Sequence, residues 1–201
     1  MANTNDFISK FGERRSIYTL SNESTISNHR LEELVQKTLL NVPSAFNTQS
    51  TRIIVLLDAQ HRKLWDIVQG AVAPFVSGDQ ATATQNKIKS FQAAYATILF
   101  FEDPAPFEPL ASFKMYADKF ESWRDQSNGM HQIVLWTALA SEGLGANLQH
   151  YNPLIDEEVK KTWFIDSNWK LLAQMVVGKP AVDSQPLKEK KPVSDRYRII
   201  S

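Results

Sequence analysis

Hydrophobic spacing divides the chain into alternating helices and strands. Leu31, Leu34, Val35 and Leu39 recur at helical intervals after Ser27 and Asn28, either of which can cap, and Pro43 closes the run. This predicts an amphipathic helix with one buried face. "RIIVLLD" (52–58) and "ATILFFED" (96–103) are short, apolar and rich in β-branched or aromatic residues, as strands covered on both faces should be. Between them lie two helical stretches, one carrying Leu64, Trp65, Ile67 and Val68, the other running from about 81 to 95 and more polar. "LLAQMVVG" (171–178) is a third strand. Helices separating strands in this order predict a central sheet with helices on its faces, and leave strand direction open.

A longer helix is expected in "GMHQIVLWTALASEGLGAN" (129–147), where Met130, Ile133, Val134, Leu135, Trp136, Leu139 and Ala140 cover nearly the whole circumference. Such a helix needs cover on every side, from a second subunit or from the centre of its own. Gly143 and Gly145 are expected to end it in left-handed conformations. The following "NLQHYNP" then reads as a polar, aromatic loop of the kind that builds sites.

Composition narrows the function classes. The 201 residues suit one domain, and 43% hydrophobic with 10% aromatic content excludes a disordered chain. Twenty-two basic residues balance 22 acidic ones, so no general field draws nucleic acid or an anionic membrane, and an anion site must come from local clustering. The absence of cysteine removes disulfides, thiolate metal sites and cysteine nucleophiles, and a reducing, cytoplasmic setting fits best. No apolar run approaches the roughly 20 residues that span a bilayer. His29, His61, His131 and His150 lack metal-ligand spacing, and no metal is expected.

Three segments carry candidate chemistry. In "GERRSIYTLS" (12–21), Arg14, Arg15 and Ser16 offer guanidinium forks and a hydroxyl, suited to phosphate oxygens or to an ordinary surface pair. In "PSAFNTQS" (43–50), the amides of Asn47 and Gln49 can read a heterocycle edge or simply make a turn. The C-terminal "PLKEKKPVSDRYRII" accumulates Lys188, Lys190, Lys191, Arg196 and Arg198, as a solvated tail or a cationic arm.

Taken in order, "RRSIYTL", "PSAFNTQSTR" and "SEGLGANLQHYNP" resemble the nitroreductase family of flavoproteins, over almost the entire chain and in a short branch of roughly 200 residues. The resemblance implies an α+β fold, a central sheet flanked by helices in three α/β/α layers, assembled as an intertwined homodimer. It implies one domain over 1–201, with residues 181–201 extending to the flavin phosphate or the partner subunit. FMN is the implied cofactor. Arg14 and Arg15 would pair with its phosphate and Ser16 would be a hydroxyl ligand. Lys188 and Lys190 would return to the same phosphate, with Arg196 and Arg198 in reserve. Pro43, Ser44 and Ala45 would reach the flavin from the partner, with Asn47 beside its pyrimidine edge and Gln49 a further cofactor-binding residue. Gln149, His150 and Tyr151 would lie near N5 and O4, where backbone N–H groups tune the ring. His150, standing where a glutamate is common, is a general acid or a side chain that merely packs or points to solvent. Tyr18 departs from the family, because many relatives carry a lysine or arginine there near N1 and O2. Arg52 is the candidate replacement, or an ordinary strand-end arginine.

The implied activity is FMN-dependent oxidation of NADH or NADPH by ping-pong hydride transfer through flavin N5. Small planar acceptors, nitroaromatic or quinone-type, are expected, with no nucleic-acid or membrane partner. Tyr151, Phe46 and the aromatic run Phe113, Tyr116, Phe120 and Trp123 would wall the pocket, unless the run packs in the core. A flavin-binding regulatory or stress-response protein with incidental turnover is the alternative that Tyr18 favours. A helical interaction module without cofactor is a third.

Overall fold

A computed structural model describes residues 4–182 and 189–200. Five strands form one sheet: β1 (Leu20–Ser21), β2 (Thr51–Leu57), β3 (Ala96–Glu102), β4 (Gly145–Gln149) and β5 (Lys170–Pro180). β3 lies at its centre, paired antiparallel with β2 and with β5, whose length also accommodates β4 and β1. Every residue of β3 is buried, so its uniform apolar pattern reflects cover on both faces. β2 departs from the same expectation. Ile53, Ile54 and Val55 are only half-buried, because the strand is a sheet edge, a position that an apolar run does not reveal.

Among the described residues the α-helices are α1 (Thr4–Glu13), α2 (Asn28–Asn41), α3 (Asp58–Val72), α4 (Gly78–Gln92), α5 (Phe120–Ser141) and α6 (Asp156–Thr162). Leu64, Trp65, Ile88, Phe91 and Val159, from α3, α4 and α6, pack with Leu99 and Phe101 on one side of the sheet. Leu31, Leu34, Leu135 and Leu139, from α2 and α5, pack with Ile98 and Phe100 on the other. Alternate residues of β3 therefore serve opposite layers, as the strand period of two requires. The result is the expected mixed sheet-and-helix fold in three layers. Ser27, rather than Asn28, caps α2, its side chain accepting from the Arg30 N–H.

The long helix starts nine residues before its expected beginning at 129 and ends at Ser141, short of 147. Met130 and Val134 are 39% and 37% exposed, so one stripe of its apolar surface lacks cover within the protomer. Gly143 takes the left-handed conformation expected of it (φ 82°), whereas Gly145 opens β4. A Cβ on Gly145 would press only on the movable tip of Leu20, whereas on Gly178 of β5 it would run into the Ser21 carbonyl oxygen of β1, and that close backbone approach requires glycine. The supposed loop after the helix is thus partly strand: Asn147, Leu148 and Gln149 pair with β5. Their mixed polarity hides a strand because the buried amides find partners inside the fold.

Candidate active site

Two separate clusters hold the site residues anticipated from sequence between Arg14 and Tyr151. The first joins the segment after α1 to β4, some 130 residues later. Ser16 bridges to Ala146, the Ile17 N–H donates to the Ala146 carbonyl at 3.0 Å, and Asn147 Nδ2 donates to the Ile17 carbonyl at 2.8 Å. Arg14, Arg15 and Ser16 are thereby fixed beside the strand that runs into Gln149, His150 and Tyr151. Gln149 is buried and its amide donates to Asn147 Oδ1 at 2.8 Å. The Tyr151 N–H donates to Oε1 of fully buried Gln174 at 2.8 Å, and its ring meets Trp65 edge-on at 5.9 Å. Burial raises the Tyr151 phenol. His150 is exposed, and among the described residues it makes no side-chain hydrogen bond or ion pair.

The arginines set the electrostatics of this cluster. The Arg14 guanidinium lies 4.2 Å over the Trp136 ring, and its buried Nε donates to nothing among the described residues. Burial and the neighbouring Arg15 both push the Arg14 pKa down. Arg15 donates to the Gly12 and Arg14 carbonyls. No ion pair among the described residues involves either arginine. Two adjacent cations, one partly desolvated with an orphaned donor, suit an anion bearing several acceptor oxygens, and FMN phosphate fits that description. Tyr18 follows at the surface, 45% exposed.

The second cluster is the segment from Pro43 to Arg52. Ser44 organises it: its carbonyl accepts the Asn47 N–H at 3.0 Å and its hydroxyl accepts the Gln49 N–H at 2.8 Å. Phe46, Asn47 and Gln49 all have positive φ, between 50° and 54°, an uncommon concentration of left-handed residues without glycine. The turn exposes Asn47 and Gln49 while Ala45 stays half-buried. Arg52 donates to the Gln49 carbonyl at 2.7 Å and to Asp103 at 2.8 Å. Its charge is therefore already partnered by an aspartate, and its guanidinium lies 5.6 Å from the Trp169 ring. No hydrogen bond or ion pair among the described residues links this cluster to the first.

Phe46 stacks on Phe113 at 6.1 Å and tilts against Trp123 at 5.8 Å, beside an open cavity of about 290 Å³ that Met130 also lines. The aromatic run divides: Phe113 and Tyr116 are exposed and Phe120 is buried against Phe107. In the C-terminal segment Lys190, Arg196 and Arg198 are exposed, and Arg196 donates to the Pro192 and Lys191 carbonyls. Lys188 lies outside the described residues. No cluster of histidine and carboxylate ligands suited to a metal occurs among the described residues.

Sequence reasoning passed over the polar groups that hold both clusters in place. Gln174 sits inside an apolar strand, and Glu102 ends another, where it accepts from Ser50 and Thr51. A lone polar residue in an otherwise apolar run is the available signal for Gln174; Glu102, which closes its run beside Asp103, has no such signal.

Known proteins resemble this chain in sequence and in fold. Residues 12–179 match the model of the nitroreductase family. The nitroreductase FRM2 of Saccharomyces cerevisiae is 31% identical over 183 residues, covering 90% of this chain and 91% of the relative. Nitroreductase CinD from Lactococcus lactis, solved with chloramphenicol, is 38% identical and superposes with a TM-score of 0.87 over 97% of this chain and 100% of its own. The FMN-dependent nitroreductase NfnB from Mycobacterium smegmatis, solved with NADPH, shares the fold at 14% identity, with a TM-score of 0.76 over 99% and 100% of the two chains. With residues 12–179 matched by the family model and its sheet enclosed by two helical layers, the chain belongs to the nitroreductase family.

Proposed function

We propose that this protein is an FMN-dependent oxidoreductase that oxidises NADH or NADPH and reduces planar nitroaromatic or quinone-type acceptors by a ping-pong sequence, as a cytoplasmic homodimer. The observation that carries this reading is the Arg14–Arg15 pair, with its orphaned buried donor and no acidic partner among the described residues, held beside the strand that leads to His150 and Tyr151. When bound, FMN supplies a carrier that takes hydride at N5 and gives up two electrons to the second substrate. CinD structures with chloramphenicol and with 4-nitrophenol, and the NADPH complex of NfnB, support the choice of acceptor and donor.

Arg14 and Arg15 bind the phosphate, and Ser16 adds a hydroxyl. Lys188 and Lys190, with Arg196 and Arg198 in reserve, bring the 181–201 extension of a single domain back to the same charge. Because the Tyr151 N–H is committed to Gln174, the His150 N–H is the backbone donor left to face N5. Pro43, Ser44, Ala45, Asn47 and Gln49 serve the partner's flavin, which accounts for their separation from the arginine cluster within one protomer. Exposed Phe7 and Ile8 on α1, with Met130 and Val134 on α5, supply apolar surface for that assembly. Arg52 offsets charge at N1 and O2 in place of the cation absent at Tyr18, moderated by Asp103.

The test is an absorbance titration of purified, FMN-supplemented protein with NADH and with NADPH. Bleaching of the flavin band and its return on adding a quinone support the proposal; protein that takes up no FMN overturns it. Arg14→Ala should weaken FMN binding at least about tenfold, since charge-assisted hydrogen bonds contribute roughly 1.5 to 3 kcal/mol each.

A further inference from the structure

The end of β3 carries a buried carboxylate that the proposed chemistry does not use. Glu102 is 1% exposed and stands opposite Thr51 in the β2–β3 register. Its Oε2 accepts from the Ser50 hydroxyl at 2.6 Å, and its Oε1 accepts from the Thr51 hydroxyl at 2.5 Å and from Asn128 Nδ2, on α5, at 2.9 Å. No ion pair among the described residues involves it. A carboxylate buried without a countercharge is costly unless its oxygens are hydrogen-bonded, and here three neutral donors do so.

Two of those donors belong to the residues that directly follow the left-handed turn of Phe46, Asn47 and Gln49. The next residue, Asp103, repeats the arrangement: its N–H donates to the Ser50 carbonyl at 3.0 Å and its carboxylate takes Arg52, which in turn holds the Gln49 carbonyl. Backbone in sparsely populated regions persists only where its surroundings over-determine it. Here the turn's own hydrogen bonds run from Asn47 and Gln49 to Ser44 and from Thr48 to the Ala45 carbonyl, and its C-terminal end is fastened separately, at residues 49–52, by two adjacent carboxylates.

We infer that Glu102 is a positioning residue for the partner's flavin site: through Ser50 and Thr51 it holds the segment 44–49 in the conformation that presents Ser44, Asn47 and Gln49. This rests on the proposed placement of that segment beside the flavin of the other protomer. Glu102 itself touches neither flavin nor substrate.

The experiment uses the full chain, with and without added FMN, and compares Glu102→Ala, Glu102→Gln and Asn47→Ala. Glu102→Ala should accelerate hydrogen exchange at the amides of residues 47–49 in flavin-free protein, shift the visible spectrum of bound FMN and weaken FMN binding at least about tenfold. Glu102→Gln should restore affinity to within about threefold, because an amide oxygen can accept from Thr51 and Asn128 while its NH₂ donates to Ser50. If Glu102→Ala fails to fold, the double variant Ser50→Ala, Thr51→Val removes the same hydroxyls and should have the same effects. Unchanged exchange at 47–49 in the carboxylate or hydroxyl variants overturns the inference whatever the flavin does. Full FMN affinity in a folded Glu102→Ala protein, beside weakened binding in Asn47→Ala, also overturns it while leaving the flavin site standing. Full affinity in Asn47→Ala removes the segment from the flavin site, and the inference falls with that placement.

Discussion

Each end of β3 meets a buried histidine and a threonine hydroxyl, and the two ends are built differently. At the start of the strand, His61 Nδ1 lies 2.8 Å from Thr97 Oγ1 and Nε2 lies 3.2 Å from the Gln92 carbonyl, while Trp65 donates to the same threonine at 3.0 Å. All polar atoms find partners inside one layer, and burial lowers the His61 pKa to about 4. At the far end, His131 Nδ1 lies 2.8 Å from the Ser127 carbonyl and 3.3 Å from Thr51 Oγ1. Burial lowers its pKa too, opposed by the hydrogen bond to Ser127 and by the negative charge of Glu102. The first end is closed on itself and serves stability. The second contains a carboxylate and passes its hydrogen bonds to a segment leaving the sheet, so disturbance there reaches the proposed cofactor site.

The largest effect expected from breaking this contrast is at Glu102. Glu102→Leu leaves the Ser50 and Thr51 hydroxyls without this acceptor and Asn128 Nδ2 with the Phe101 carbonyl alone, and should cost about 3 to 5 kcal/mol of unfolding free energy, measured by urea denaturation. A loss below about 1 kcal/mol would show that the far end is no more critical than ordinary surface.

Acid should act mainly on the closed end. Between pH 6.5 and about 4 the unfolded chain protonates His61 and the folded protein does not, so stability falls as pH is lowered through that window and levels off below it. The full loss is on the order of 3 kcal/mol. Denaturation midpoints measured from pH 7 to 4 should show this slope, and His61→Gln should flatten it; an identical slope in the variant would assign the acid sensitivity elsewhere.

Thr97→Val sharpens the comparison. It unpairs Trp65 Nε1 and His61 Nδ1 and should destabilise by about 1 to 3 kcal/mol, yet leave FMN affinity unchanged in folded protein. A parallel loss of flavin would mean that the two ends are coupled through the strand. The smallest effect belongs to Arg52→Gln. Because Asp103 already partners the guanidinium, the flavin midpoint in redox titration should fall by less than about 30 mV, the equivalent of 1.4 kcal/mol for two electrons. A larger drop would place an unscreened charge at N1 and O2.

Legibility in the sequence followed the range of the interactions involved. The strands at 52–58, 96–103 and 171–178 emerge from short apolar runs and the capped helix after Ser27 from its 3.6-residue spacing, because both signals are carried by neighbouring residues. Family membership was legible in three short motifs. β4 was not, since Asn147 and Gln149 look like loop residues until Ile17 and β5 supply their surroundings. The Arg52–Asp103 and Glu102–Ser50 contacts span 51 and 52 positions and have no local signature.

By itself, then, the sequence determined the three long strands, helices α2 to α5 in outline, the sheet-and-helix fold class and the family, all of which follow from local patterns and from short runs of matching residues. Strand direction, the edge position of β2, the conversion of a presumed loop into β4 and the separation of the site residues into two clusters were decided only in the tertiary structure. A buried amide, carboxylate or guanidinium takes its character from the partner that closure of the chain brings to it, and that partner is specified by distant residues.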